Sequence, residues 1–94
     1  MATYSVQRAK HATLVATTVD TVDMSMIGNA IRILNRDGSG GDTFYFTIDG
    51  TTPTVAGDDT YVLTAGQSID IYDGNVASVK LISSGTPDYS VEKY

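Results

Sequence analysis

Cysteine is absent from these 94 residues, which removes disulfides and thiolate metal centres as sources of rigidity. Tryptophan is absent too, proline occurs twice, and histidine once, at His11. Any triad chemistry would have to be built on that single imidazole. No apolar run approaches the roughly 18 residues that a spanning helix needs, and the N-terminus lacks the apolar core of an export signal. The expectation is a chain with no membrane partner. Neither a phosphate-cradling glycine loop nor a nucleophile elbow occurs. Cations are scarce: 6 Lys and Arg stand against 11 Asp and Glu, for a net charge of -5. That balance disfavours nucleic acid, whose binding rests on neutralising phosphates, and favours a protein partner.

What is there describes one ordinary globular core. With 41% of residues hydrophobic and 18% charged, the chain is too apolar for intrinsic disorder. At this length folding buries roughly 65% of the surface that the unfolded chain exposes, enough for one core and no more.

Period-two alternation dominates. Phe44, Phe46 and Ile48 alternate with Thr43, Tyr45 and Thr47, which places the apolar set on the buried side of a pleat and the other set on the exposed side. The same period recurs at Ile31 and Ile33, Ile69 and Ile71, Val79 and Leu81, and Tyr89 and Val91. Residues 11–18 and 20–26 are rich in Thr and Val and read as two strands or one bent strand. No amphipathic helix and no internal repeat is visible.

Turn signals separate these runs. Asp37-Gly38-Ser39-Gly40-Gly41-Asp42 lies between Ile31–Arg36 and Thr43–Ile48 and is expected to join them as an antiparallel hairpin. Asp49-Gly50, Ala65-Gly66, Asp73-Gly74 and Ser84-Gly85 mark further reversals. Short strands with frequent turns predict a small antiparallel β-sandwich or a small barrel.

Charge is unevenly placed. Arg8, Lys10 and His11 precede the first acid, Asp20, and every remaining acid follows. Residues 1–11 therefore read as a mildly basic, extended N-terminal arm able to order on a neighbour, and residues 12–94 as a single acidic β-domain. Arg8, Lys10 and His11 are the arm's candidate partner-binding residues. Tyr45 is the candidate on the body, because its strand buries the opposite side chains and leaves this amphipathic ring facing out. The other tyrosines, Tyr61, Tyr72 and Tyr89 among them, can form a protein- or sugar-binding face, but with no cluster visible in the sequence they read first as flanks of the core.

The aspartates Asp37, Asp42, Asp49, Asp58, Asp59 and Asp73 have two readings. Loop carboxylates are the oxygen ligands Ca²⁺ favours, but no EF-hand or nonapeptide repeat is present, and Asp before Gly is what turns use to bind their own backbone. No metal and no cofactor is expected. Paired-carboxylate hydrolysis needs one acid in an apolar cleft, whereas these acids fall in turns, so the chain reads as a non-enzyme.

Resemblance adds what periodicity does not. The stretch Ile31-Arg32-Ile33-Leu34-Asn35-Arg36, then Phe44 through Val55 with its Asp49-Gly50-Thr51-Thr52-Pro53-Thr54, then Leu63-Thr64-Ala65-Gly66 and Val79-Lys80-Leu81-Ile82-Ser83, resembles small tailed-phage virion proteins, above all head decoration, or capsid cement, proteins. The likeness runs over about two-thirds of the chain, from Ala30 to Tyr94, in motifs that are each common strand-and-turn chemistry. A second resemblance, in Phe46–Thr54, is to the Tyr-Thr-Thr-Asp-Gly-Ser-Thr-Pro-Thr signature of Ig-like modules appended to bacterial carbohydrate-active enzymes, with Ile48 in place of a Thr.

Both resemblances imply a sandwich, Ig-like or jelly-roll-like, and differ in context. The first implies a virion structural protein made in the host cytoplasm, binding the major capsid protein lattice as a monomer or a homo-oligomer, trimers included. Its neighbouring reading is a tail or baseplate component. The second implies a carbohydrate-binding module. The lack of Trp and of an export signal, and a start at Met1 that suits a separate gene product, favour the virion context.

Overall fold

The computed structural model describes residues 1–38 and 40–94; Ser39, within the glycine-rich turn, lies outside the described residues. They form nine strands and no helix: β1 (Ala2–Val6), β2 (Ala9–Thr13), β3 (Asp20–Met24), β4 (Ile31–Asn35), β5 (Phe44–Thr47), β6 (Tyr61–Leu63), β7 (Ser68–Ile71), β8 (Ser78–Ile82) and β9 (Asp88–Lys93). One sheet has the order β1-β3-β8-β5-β6 and the other β2-β9-β4-β7. All pairs are antiparallel except β1 on β3. The chain is an all-β sandwich.

Each inner face is the one the alternation names. Val22 and Met24 of β3, Val79 and Leu81 of β8, and Phe44 and Phe46 of β5 meet Ile31 and Ile33 of β4 and Tyr89 and Val91 of β9 in one buried cluster. Phe44 makes edge-to-face contacts with Phe46 and Tyr89, both at 6.3 Å between centroids, so aromatic geometry ties the two sheets together. Three buried polar groups add fixed points. The Tyr89 hydroxyl on β9 donates to Asp20 Oδ2 on β3 at 2.9 Å. Asn35 Nδ2 donates to the carbonyls of Asp42 and Leu63. The Lys93 ammonium donates to the Val76 carbonyl.

Two sequence expectations change. Strands β4 and β5 do not form a hairpin; they lie in opposite sheets. Their glycine-rich connection is an arch held to the β8–β9 connection, because the Asp37 carboxylate accepts the N–H groups of Asp42 and Asp88 and the Asp42 carboxylate accepts that of Thr86. Glycine at 85 is what admits this contact, since a Cβ there would overlap the Asp42 carboxylate. A glycine-rich turn reverses the chain, but whether the next strand returns to the same sheet depends on where its apolar face is buried. Of consecutive strands, only β5 and β6 are sheet neighbours.

Thr47, expected on the exposed side, is buried, and its hydroxyl donates to the Thr51 carbonyl. The start of the following loop folds over it.

Residues 1–11 are extended, but as strands of the sandwich itself. β1 lies along β3, and β2, which straddles the expected arm boundary, lies along β9. Tyr4, Val6 and Ala12 pack on the core. With small or polar residues between them, this burial left only a faint alternation in the sequence.

Candidate functional site

The four sequence-named residues fall on different surfaces. Arg8 is exposed between β1 and β2, and its carbonyl accepts the Lys93 N–H. Lys10 turns inward at the open side of the sandwich, its ammonium 4.1 Å from the centroid of the Tyr4 ring. That cation caps an aromatic of its own chain. His11, one residue on, faces the other way, with Nδ1 2.6 Å from Ser90 Oγ. This His–Ser pair lies on the outer face of its sheet, with Ser90 buried, and does not line the groove described below. Strand alternation thus separates Lys10 from His11.

Tyr45 lies on the outer face of the five-stranded sheet. Its register partners are Val62 on β6 and Ile82 on β8, and directly paired residues project to the same face. The three make an apolar row across β6, β5 and β8, with Val62 54% exposed at the edge and Ile82 nearly covered. The next row is polar: Thr47 pairs with Lys80, Lys80 with Thr21, and Thr21 with Thr3. This face thus carries an apolar row beside a polar one whose β5 end, Thr47, lies under the loop that follows it.

Beside this face, where residues 48–60 fold back between β5 and β6, lies a groove of about 700 Å³ lined by Ile48, Asp49, Asp58, Asp59, Tyr61 and neighbouring threonines. Its loop is locally braced. Pro53 is fully buried, Asp49 Oδ1 accepts both the N–H and the hydroxyl of Thr51, and the Thr60 hydroxyl donates to the Gly57 carbonyl. The Thr51 donors hold the Asp49 carboxyl below the usual carboxylate range. The Tyr61 ring stacks on buried Phe46 at 5.3 Å and 26° between planes, and the residue is 53% exposed.

Most of the other acids named from the sequence serve the backbone. Asp37 and Asp42 hold the arch, and Asp73 accepts the Asn75 N–H. The Asp88 and Asp42 N–H groups also lower the Asp37 carboxyl. Among the described residues no three His, Cys, Asp or Glu side chains gather as a metal-binding set. Opposite, on the outer face of the four-stranded sheet, Arg32 Nε pairs with Asp70 Oδ1 at 2.9 Å, and the Tyr94 hydroxyl donates to the same oxygen. These two donors depress the Asp70 carboxyl, and the carboxylate in turn raises Arg32 and Tyr94.

The sequence offers Tyr61 only as one of several tyrosines able to form a sugar- or protein-binding face, and Asp49, Asp58 and Asp59 only as loop acids; it does not join them in one groove. The run Asp58-Asp59-Thr60-Tyr61 after a Pro-Thr loop reads as turn chemistry until the loop is seen folded over β5. No known family's model matches the chain, and no curated protein matches it significantly.

Proposed function

We propose that the protein is a non-enzymatic structural component of a tailed-phage virion, a head decoration protein that binds the major capsid protein lattice through the outer face of its five-stranded sheet. The observation that carries this reading is the row Val62–Tyr45–Ile82: an aromatic flanked by aliphatics across three strands of that outer face. Buried aromatics at the centre of an apolar patch are where protein interfaces concentrate their energy. The motif likeness in Ile31–Arg36, Phe44–Val55 and Val79–Ser83 supports the same reading and supplies the context.

The mechanism is mechanical. A module that binds across two lattice subunits favours the assembled state over separated subunits, and its modest contacts multiply over many copies. Mass spectrometry of purified virions tests the context: hundreds of copies per particle are expected, whereas a few copies would indicate a tail or baseplate component and absence would overturn the reading. Cosedimentation with shells lacking the protein tests the face. Tyr45→Ala should weaken attachment by about tenfold or more, as for a central interface aromatic, with an unchanged melting temperature. Undiminished attachment would overturn the assignment.

A further inference from the structure

The groove beside Tyr61 is not explained by attachment through the Tyr45 row. It is concave, within the size range of small-molecule sites, and its walls are set before any ligand arrives. Pro53 anchors the loop in the core, Thr51 and Thr60 spend their hydroxyls on the loop's own turns, and a Cβ at Gly57 would overlap Thr54, so the chain closes tightly there. Tyr61 brings an aromatic face whose orientation is fixed by Phe46 behind it. An exposed tyrosine at a strand edge is ordinary; one backed by a buried ring and opening on a groove rimmed by acceptors is a platform.

We infer that this groove is a saccharide-binding site, with the open face of Tyr61 stacking against the apolar C–H face of a neutral pyranose and the carboxylates of Asp58 and Asp59 accepting hydrogen bonds from its hydroxyls. The chemistry matches in both halves. A pyranose offers an apolar face and a rim of hydroxyl donors, and the groove offers Ile48 and Tyr61 within a rim of acceptors. The Asp58 and Asp59 carboxylates bond to no other described residue, unlike Asp49, which has one oxygen committed to Thr51. Charge sets the selectivity. Three carboxylates around one groove repel uronic and sialic acids, so neutral sugars bind and acidic ones are rejected, most strongly at low salt. With one aromatic platform and an open rim, a dissociation constant on the order of 1 mM for a short oligosaccharide is expected. This reading is independent of the virion proposal, since either stands if the other fails.

The test is amide-resonance titration of the ¹⁵N-labelled protein with neutral gluco- and chito-oligosaccharides, an oligogalacturonate and an oligolysine peptide. Saturable shifts confined to residues 47–52 and 58–61 with a neutral oligosaccharide are expected, with at least tenfold weaker binding of the oligogalacturonate. Tyr61→Ala should abolish the response, and Tyr61→Phe and Tyr72→Ala should keep it, Tyr72 being exposed but outside the groove. Because removing Tyr61 also uncovers Phe46, a second variant carries the test if the first is destabilised. Asp58→Asn with Asp59→Asn keeps side-chain acceptors, and Asn tolerates the left-handed backbone of Asp59, φ 60°. It should narrow the gap between neutral and acidic sugars to within about threefold. No saturable shift with any neutral sugar, shifts elsewhere on the surface, or a response to oligolysine alone would each overturn the inference.

Discussion

Removing one hydroxyl from the core, by Tyr89→Phe, should cost far more than its size suggests. The ring keeps its edge-to-face contact with Phe44, so no cavity opens. What is lost is the 2.9 Å donor to Asp20 Oδ2, with Tyr89 wholly buried and Asp20 2% exposed. A hydrogen bond to a charged acceptor contributes about 1.5–3 kcal/mol, and a carboxylate left buried without its donor puts the loss at the upper part of that range. For a domain of this size each 1 kcal/mol moves the melting temperature by roughly 4–8 °C, so a drop of about 10 °C or more is expected. Alkaline stability provides a second readout. Burial, together with the adjacent Asp20 carboxylate, raises the Tyr89 phenol far above its ordinary value. A folded pKa raised above the unfolded one leaves stability unchanged below the unfolded value of about 10 and erodes it as pH climbs beyond. Wild type should therefore lose stability above that pH more steeply than Tyr89→Phe, and the two curves should converge. Thermal melts from pH 7 to 11 measure both effects. A variant melting within a degree or two of wild type at pH 7, or parallel curves throughout, would refute the account of this bond as a clamp between sheets.

Phe46→Ala, which deletes a fully buried ring contacting Phe44 and Tyr61, should cost about 3–5 kcal/mol by denaturant unfolding, and Thr47→Val about 1 kcal/mol through the lost bond to Thr51. Asp37→Asn should lower the melting temperature at pH 7 but not at pH 2. The depressed Asp37 carboxyl contributes stability above the unfolded value and loses it as pH falls through the folded one, and equal losses at both pH values would argue against the arch. Deleting residues 1–10 should lower the melting temperature by several degrees or more, because it strips β1 from β3 and removes Ala9 and Lys10 of β2 from β9; a truncated protein that melts like wild type would show these pairings to be dispensable. Millimolar Ca²⁺ or EDTA should leave the melting temperature within about a degree, since a ligand of the folded state alone would raise it.

The inner faces were legible because period-two alternation survives wherever a strand has one buried side: the pairs Ile31 and Ile33, Phe44 and Phe46, and Tyr89 and Val91 all face the core. Connectivity was not. Asp-Gly and Gly-Gly signals report a change of direction, while β5 takes as its sheet neighbours the strand that follows it, β6, and a strand two further on, β8, instead of β4 before it. The buried Thr47 escaped for a related reason, since its cover comes from a loop rather than a paired strand. Of the site, Tyr45 was readable as outward-facing, but its neighbours Val62 and Ile82 arrive from strands 17 and 37 residues later in the sequence. The basic N-terminal segment was readable as charge alone; that Lys10 caps Tyr4 while His11 faces Ser90 depends on which side of a strand each residue occupies, and the small residues around them carry little periodic signal.

Strand β9 lies inside its sheet, between β2 and β4. On the ribosome, β2 and β4 emerge first and wait for a common neighbour encoded some fifty residues after β4. Until residues 88–93 clear the exit tunnel, the four-stranded sheet has no centre, and the apolar faces of β3, β5 and β8 have little to close against. Acquisition of structure is thus deferred until β9 has emerged, and until then the nascent chain exposes unpaired strand edges. A premature stop before β9 would yield an aggregating polypeptide instead of a smaller domain, so cells making many copies of this protein would depend on translation reaching β9.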